Sequence, residues 1–125
     1  MKRRGTSKPS KRPEQVGETI RQVIADAITR GEVRDPRVGF VTVTRVDASR
    51  DLSHATVLVS VMGSEDEKQR SLEGLANAAG FFRTRITRAL SSRTVPELHF
   101  TLDRGLEHAA RINQLLADIR PEDGT

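Results

Sequence analysis

The chain predicts a two-layer α+β domain, a three-stranded sheet with helices packed on one face. The element order is helix, strand, strand, helix, kink, helix, strand, helix. Three observations predict it. Apolar residues recur at spacings of three and four in four separate segments, which is the period of an amphipathic helix. Two segments rich in β-branched residues are joined by a short polar connector, so they pair antiparallel. A third alternating segment follows only after a helical crossover, which favours a parallel, right-handed arrangement. Three strands with their helices make two layers around one core.

Pro13 is well placed to open the first helix. Val16, Ile20, Val23, Ile24, Ala27 and Ile28 then form one apolar stripe, and Gly31 is a natural stop. The helix is expected over about 14–30. Asp35-Pro36-Arg37 reads as a turn, and Val38 to Val46 as the first strand. Asp47 to Ser53 is a polar connector, and Ala55 to Val61 the second strand. There Val57, Val59 and Val61 alternate with Thr56, Leu58 and Ser60, so one face is buried.

Ser64-Glu65-Asp66-Glu67 resembles a capping box with acids in the first turn of the second helix. Leu72, Leu75, Ala76 and Ala79 line that helix, and Phe82, Ile86, Ala89 and Leu90 line the third. The two patterns meet at Ala78-Ala79-Gly80, and glycine there marks a kink. Pro96 opens the third strand, with Leu98, Phe100 and Leu102 on one side. Asp103 can cap a fourth helix whose stripe is Leu106, Ala109, Ile112, Leu116 and Ile119, and Pro121 ends it. The organisation expected is a basic tail over 1–12, disordered when free, one domain over 13–120, and a disordered C-terminus over 121–125.

Charge points to a polyanion as partner. Lys2, Arg3, Arg4, Lys8, Lys11 and Arg12 fall in the first twelve residues without an acid. Removing those six from 21 basic residues leaves 15 against 17 acidic ones, so the body is net −2 while the whole chain is +4. Basic arms of this kind bind nucleic acid. Arg83, Arg85, Arg88 and Arg93 follow the kink closely, and bare backbone beside cations suits a phosphate chain. On a helical wheel Arg85 and Arg88 flank the core stripe on one side and Arg83 on the other. Arg37 in the turn, with Arg45 and Arg50 near the hairpin, are further candidates.

Other chemistry is poorly supplied. Cysteine is absent, so disulfides and thiolate metal sites are excluded, and with no tryptophan or tyrosine and only four phenylalanines, base stacking is poorly supplied. Asp51 and His54 are three residues apart with Asp47 nearby, but a loop Asp is a turn former, and no nucleophile or Gly-rich phosphate loop accompanies them. His54, His99 and His108 lie on three elements without metal-ligand spacing. Phe82 is expected in the core under the kink, while Phe81 is open to either a core or a stacking role. No cofactor, metal, membrane contact or small-molecule substrate is expected, and no oligomer. With no apolar signal core or span, the chain is expected in the cytoplasm.

The element order matches a type II KH domain, in which a Gly-x-x-Gly loop between two helices clamps nucleic acid. No Gly-x-x-Gly occurs here, and Ala78-Ala79-Gly80 stands in its place before Phe81-Phe82-Arg83. Three further segments flank it in order. They are Asp35-Pro36-Arg37-Val38-Gly39-Phe40-Val41-Thr42-Val43, Ser49-Arg50-Asp51-Leu52-Ser53-His54-Ala55 and Val95-Pro96-Glu97-Leu98-His99-Phe100. Together they resemble the ribosome-binding factor A family, from about Lys8 to Ile119. The resemblance implies a KH-like fold and a non-enzymatic bacterial factor that binds free or immature 30S subunits. It also implies assistance to 16S rRNA processing near the 5′ end. Ala78, Ala79 and Gly80 would then belong to the RNA-binding site. The alternative is a protein-interaction module using the sheet and the acidic start of the second helix.

Overall fold

The structure, a computed structural model, describes residues 12–92, 94–105 and 112–117. Six elements run in the expected order: α1 (Pro13–Thr29), β1 (Val41–Ala48), β2 (His54–Val61), α2 (Glu65–Asn77), α3 (Ala79–Leu90) and β3 (Glu97–Leu102). The sheet order is β1-β2-β3, with β1 antiparallel and β3 parallel to the central β2. The crossover through α2 and α3 therefore does what its length required.

Burial follows the sequence periods. Val16, Ile20, Ile24 and Ala27 of α1 join Val57 and Val59 of β2 in one core cluster, all almost wholly out of solvent. Phe82, Ile86 and Leu90 of α3 complete the layer. Each large side chain so buried contributes about 1.5–3 kcal/mol. Phe82 is the largest of them, with ring contacts to Phe81 at 5.7 Å and Phe100 at 5.8 Å.

Several expected details are corrected. β1 starts at Val41, not Val38, because residues 35–40 belong to the preceding turn. Its alternation is broken by a bulge: Val43 faces Val59 and Arg45 faces Leu58, so Thr44 is extra. The bulge lets Val43 and Val46, three apart, both face the core. Ala76 and Ala89 are exposed, and α2 instead buries Lys68, Ser71, Gly74 and Leu75. Lys68 hides its aliphatic stem while its ammonium lies 3.5 Å from Glu65 Oε2. Residues 112–117 are helical, but Ile112 and Leu116 are exposed, so these two members of the fourth stripe lie on the surface. Leu106, Ala109, Ile119 and the 1–11 segment of the tail lie outside the described residues.

The Ser64 capping box is present in both halves. Glu67 N–H donates to Ser64 Oγ at 3.2 Å and Ser64 N–H to Glu67 Oε1 at 2.8 Å. Asp103 caps as expected, accepting from Gly105 N–H at 2.9 Å. It also accepts the Thr44 hydroxyl proton at 2.6 Å, so the bulge is tied to the end of β3.

Gly17 sets how closely α1 lies on the sheet. A Cβ there would sit 2.5 Å from Val46 O, a backbone atom that cannot swing aside. Gly→Ala within a helix ordinarily gains about 1 kcal/mol. Here the sign reverses: Gly17→Ala should cost about 1–3 kcal/mol by forcing helix and strand apart. Thermal unfolding monitored by circular dichroism checks this, and an unchanged or raised Tm contradicts the close packing.

Candidate nucleic-acid interface

The helix break falls on Ala78, whose φ of −88° and ψ of 5° end α2 and start α3. The sequence pattern puts the break on Gly80, but that residue lies in the first turn of α3, and its φ is not positive. Its use is therefore not conformational. A Cβ at Gly80 would meet nothing within 4 Å, and Ala78 and Ala79 are small and half-exposed. These three residues leave an uncovered patch of backbone.

That patch also stands at the start of a helix. The first N–H groups of a helix have no intrahelical acceptors. α2 satisfies two of its orphan donors with the Ser64–Glu67 box and carries three acids in its first turn. α3 has no side-chain cap and no acid in its first turn. The start of α3 thus carries neither a side-chain cap nor an acid that would repel an anion, and its small residues leave the backbone reachable.

The arginines divide into two groups. Arg85 Nη1 lies 2.9 Å from Glu32 Oε1, and its guanidinium sits 4.8 Å from the centre of the Phe81 ring. Rather than standing free as a phosphate ligand, it ties α3 to the loop after α1 and covers Phe81, which is half-buried. Arg37 is bound to Asp35 through Nε at 3.0 Å and Nη2 at 2.7 Å, and Arg45 Nε to Asp47 at 3.1 Å. Arg83, Arg88 and Arg50 are exposed and in no ion pair among the described residues. Arg12 is exposed just before α1. Lys8, Lys11 and Arg93 lie outside the described residues.

Sequence reasoning missed Arg30 and Arg34. Both are exposed, and each is two residues from Glu32, the partner of Arg85, so they flank the cationic side of α3. The packing of α1 on α3 and the Glu32–Arg85 contact, across 53 positions, bring them there. It also missed Phe40, the one strongly exposed aromatic among the described residues, at 83%. Phe40 adjoins Met62, also exposed, through the bond from Met62 N–H to Phe40 O.

The turn before β1 holds the helix break in place. Asp35 accepts from Arg37 N–H at 2.9 Å, from its guanidinium, and from Asn77 Nδ2 at 3.2 Å, and Asn77 is the last residue of α2. Ser71 Oγ accepts Gly39 N–H at 3.1 Å and donates to Arg37 O at 3.3 Å. Gly74 makes the contact possible, since a Cβ there would fall 2.7 Å from Val38 Cγ2. The expected role of Asp35-Pro36-Arg37 in leading into β1 thus extends to α2.

The ribosome-binding factor A profile matches residues 12–116, nearly the whole described chain. The chain belongs to the ribosome-binding factor A family. The Thermomicrobium roseum ribosome-binding factor A is 52% identical over 114 residues, spanning 91% of this chain and 88% of its own. The crystal structure of ribosome-binding factor A from Thermus thermophilus superposes with a TM-score of 0.59 at 26% identity, over 72% of this chain and 94% of that one. A Thermus thermophilus homology model fitted into the cryo-EM map of a 30S complex gives 0.56 at 26% identity, covering 70% and 91%. The family resemblance read from the motifs around Ala78-Ala79-Gly80 is therefore borne out, as is the fold it implied.

The Arg37 guanidinium, the Arg37 amide and the Asn77 amide hold the Asp35 carboxyl well below the usual carboxylate range. A depressed folded value means the interaction stabilises at neutral pH and is lost as pH falls through that value. Asp35→Asn should therefore lower Tm at neutral pH, and the gap to the parent should narrow towards about pH 2. Parallel melts across that range check it, and a constant gap would assign the effect to packing alone.

Proposed function

We propose that this protein is a non-enzymatic 30S assembly factor. It binds free or immature 30S subunits in the cytoplasm as a monomer and assists 16S rRNA maturation near the 5′ end. One observation carries the reading. α3 begins with an uncapped, acid-free turn of small residues, Ala79-Gly80, followed by the exposed Arg83 and Arg88, which are in no ion pair among the described residues. Backbone amides and a helix dipole meet a phosphate at the start of α3, and the two guanidiniums meet the phosphates beside it. Arg50 and Arg12 are further exposed cations, and Lys8, Lys11 and Arg93, outside the described residues, are further candidate contacts. Arg37, Arg45 and Arg85 serve the fold first. The Thermus thermophilus relative fitted into a 30S complex supports the ribosomal target.

A second reading has its own observation. Pro36, Gly39, Phe40, Met62, Glu67 and Arg70 line one shallow groove whose apolar members are exposed. This favours a protein contact there, made alongside the RNA contact. Co-sedimentation with 30S, 50S and 70S particles from a deletion strain tests the main proposal. Recovery with 30S is expected, and equal recovery with 70S contradicts it.

Three substitution experiments refine it. Gly80→Ala should leave folding unharmed or raise stability by about 0.5–1 kcal/mol, since the residue is helical. It should nonetheless weaken 30S binding by about tenfold, because a methyl group then covers the backbone that meets phosphate. Binding equal to the parent would remove the α3 N-terminus from the interface.

Arg83→Glu with Arg88→Glu should cost on the order of 3 kcal/mol or more in 30S binding. Folding should move by no more than about 0.5 kcal/mol per site. Arg85→Glu should behave differently, lowering Tm as well, because it faces Glu32. Glu65→Lys with Glu67→Lys is the informative control, and dominance of that pair over the arginine pair would make the main interface a protein one.

Deleting residues 1–12 should leave the fold intact and flatten the log-affinity against log-salt slope, as phosphate contacts release counterions. An unchanged slope measured by filter binding would assign the tail no phosphate contact.

A further inference from the structure

The open face of the sheet carries a cluster that RNA binding does not use. β2 begins at His54 and β3 at Glu97, and the parallel register places His54 beside Glu97 and Thr56 beside His99. Ala55 and Leu98 turn into the core, so their neighbours His54, Glu97 and His99 all project from the opposite face. His54 Nδ1 lies 3.0 Å from His99 Nε2 and 3.7 Å from Glu97 Oε1. One ligand atom from each residue falls within 4.8 Å of the other two, the only such group among the described residues.

Three electron pairs therefore converge on one small volume. A single proton can bridge two of the atoms but leaves the third pair facing another. A cation that accepts all three resolves the conflict. Zinc bonds to nitrogen and oxygen of about 2.0–2.2 Å at the tetrahedral angle require donor atoms about 3.3–3.6 Å apart. The two separations from His54, 3.0 and 3.7 Å, bracket that value, and all three atoms lie within 4.8 Å of one another, so side-chain rotations bring them to it. The backbone is already committed, since all three residues lie within ladder-bonded strands, His54 and Glu97 at their starts. Ser53 O accepts Glu97 N–H at 2.9 Å at the same point.

We propose that His54, Glu97 and His99 form a binding site for a divalent first-row cation of the zinc type. His54 ligates through Nδ1, His99 through Nε2 and Glu97 through a carboxylate oxygen. Two imidazoles with one carboxylate suit zinc and discriminate against magnesium and calcium, which take oxygen ligands. The side chains of His54 and Glu97 are 56% and 62% exposed, so water completes the coordination. The ion joins the first residues of two strands 43 or more positions apart, and so clamps the crossover that contains α2 and α3. Binding to the folded form alone stabilises it.

The test uses the full chain, freed of metal with chelator and titrated with zinc chloride in a calorimeter. One zinc per chain is expected, with Tm rising by roughly 4 °C or more at saturation. Millimolar magnesium should not displace it. The variant His54→Ala with His99→Ala should keep the metal-free Tm, because both rings are exposed. It should lose about tenfold or more in zinc affinity together with the Tm rise. His108→Ala, outside the described residues, should behave as the parent. Absence of zinc binding by the parent, unchanged zinc affinity in the double variant, or ready displacement by magnesium would each overturn the proposal.

Discussion

Everything at the interface depends on how closely the turn at Asp35–Val38 approaches α2. Gly74 permits that approach, and Asp35, Ser71 and Asn77 lock it with hydrogen bonds. Asn77 is the residue before the break at Ala78, so the lock reaches the point where α3 begins. Without it the last turn of α2 would be held from outside the helix chiefly by the burial of Leu75, and helix ends fray. The end of α2, and with it the start of α3, is thus tied to a turn roughly forty residues earlier in the chain.

The arginines illustrate a division of labour that charge alone does not reveal. Arg85 and Arg37 are partly withdrawn from water and satisfied by Glu32 and Asp35. A phosphate could take either only by breaking an existing pair. Arg83 and Arg88, two residues before it and three after, have no pair to break among the described residues. Arg85 still matters to the surface, because its bond to Glu32 brings Arg30 and Arg34 towards α3. Paired cations shape the surface, and unpaired ones are available to a polyanion.

The sheet contributes in two ways. Its covered face receives α1 at a distance that only Gly17 allows, over a strand whose bulge at Thr44 turns both Val43 and Val46 inwards. Its open face is polar by alternation, with Thr56, Ser60 and Thr101 among the exposed or half-exposed positions. Because β3 runs parallel to β2, residues from two distant segments stand side by side there. An antiparallel partner in its place would have set His54 against the far end of the strand.

The sequence by itself determined the element types, their order and the strand directions. It also determined the Ser64 and Asp103 caps, the burial of Phe82 and the family motifs. Each of these depends on a period or a local hydrogen bond, which a few adjacent residues encode completely. The tertiary structure alone decided that Gly80 is helical and bare and that the break sits on Ala78. It decided too that Gly17 and Gly74 are close-contact residues, that Phe40 faces solvent and that Arg85 is engaged. It brought together His54 and His99, which the sequence placed on separate elements. These facts concern which surfaces meet, and that depends on the relative placement of whole elements, about which helical and strand periods carry no information.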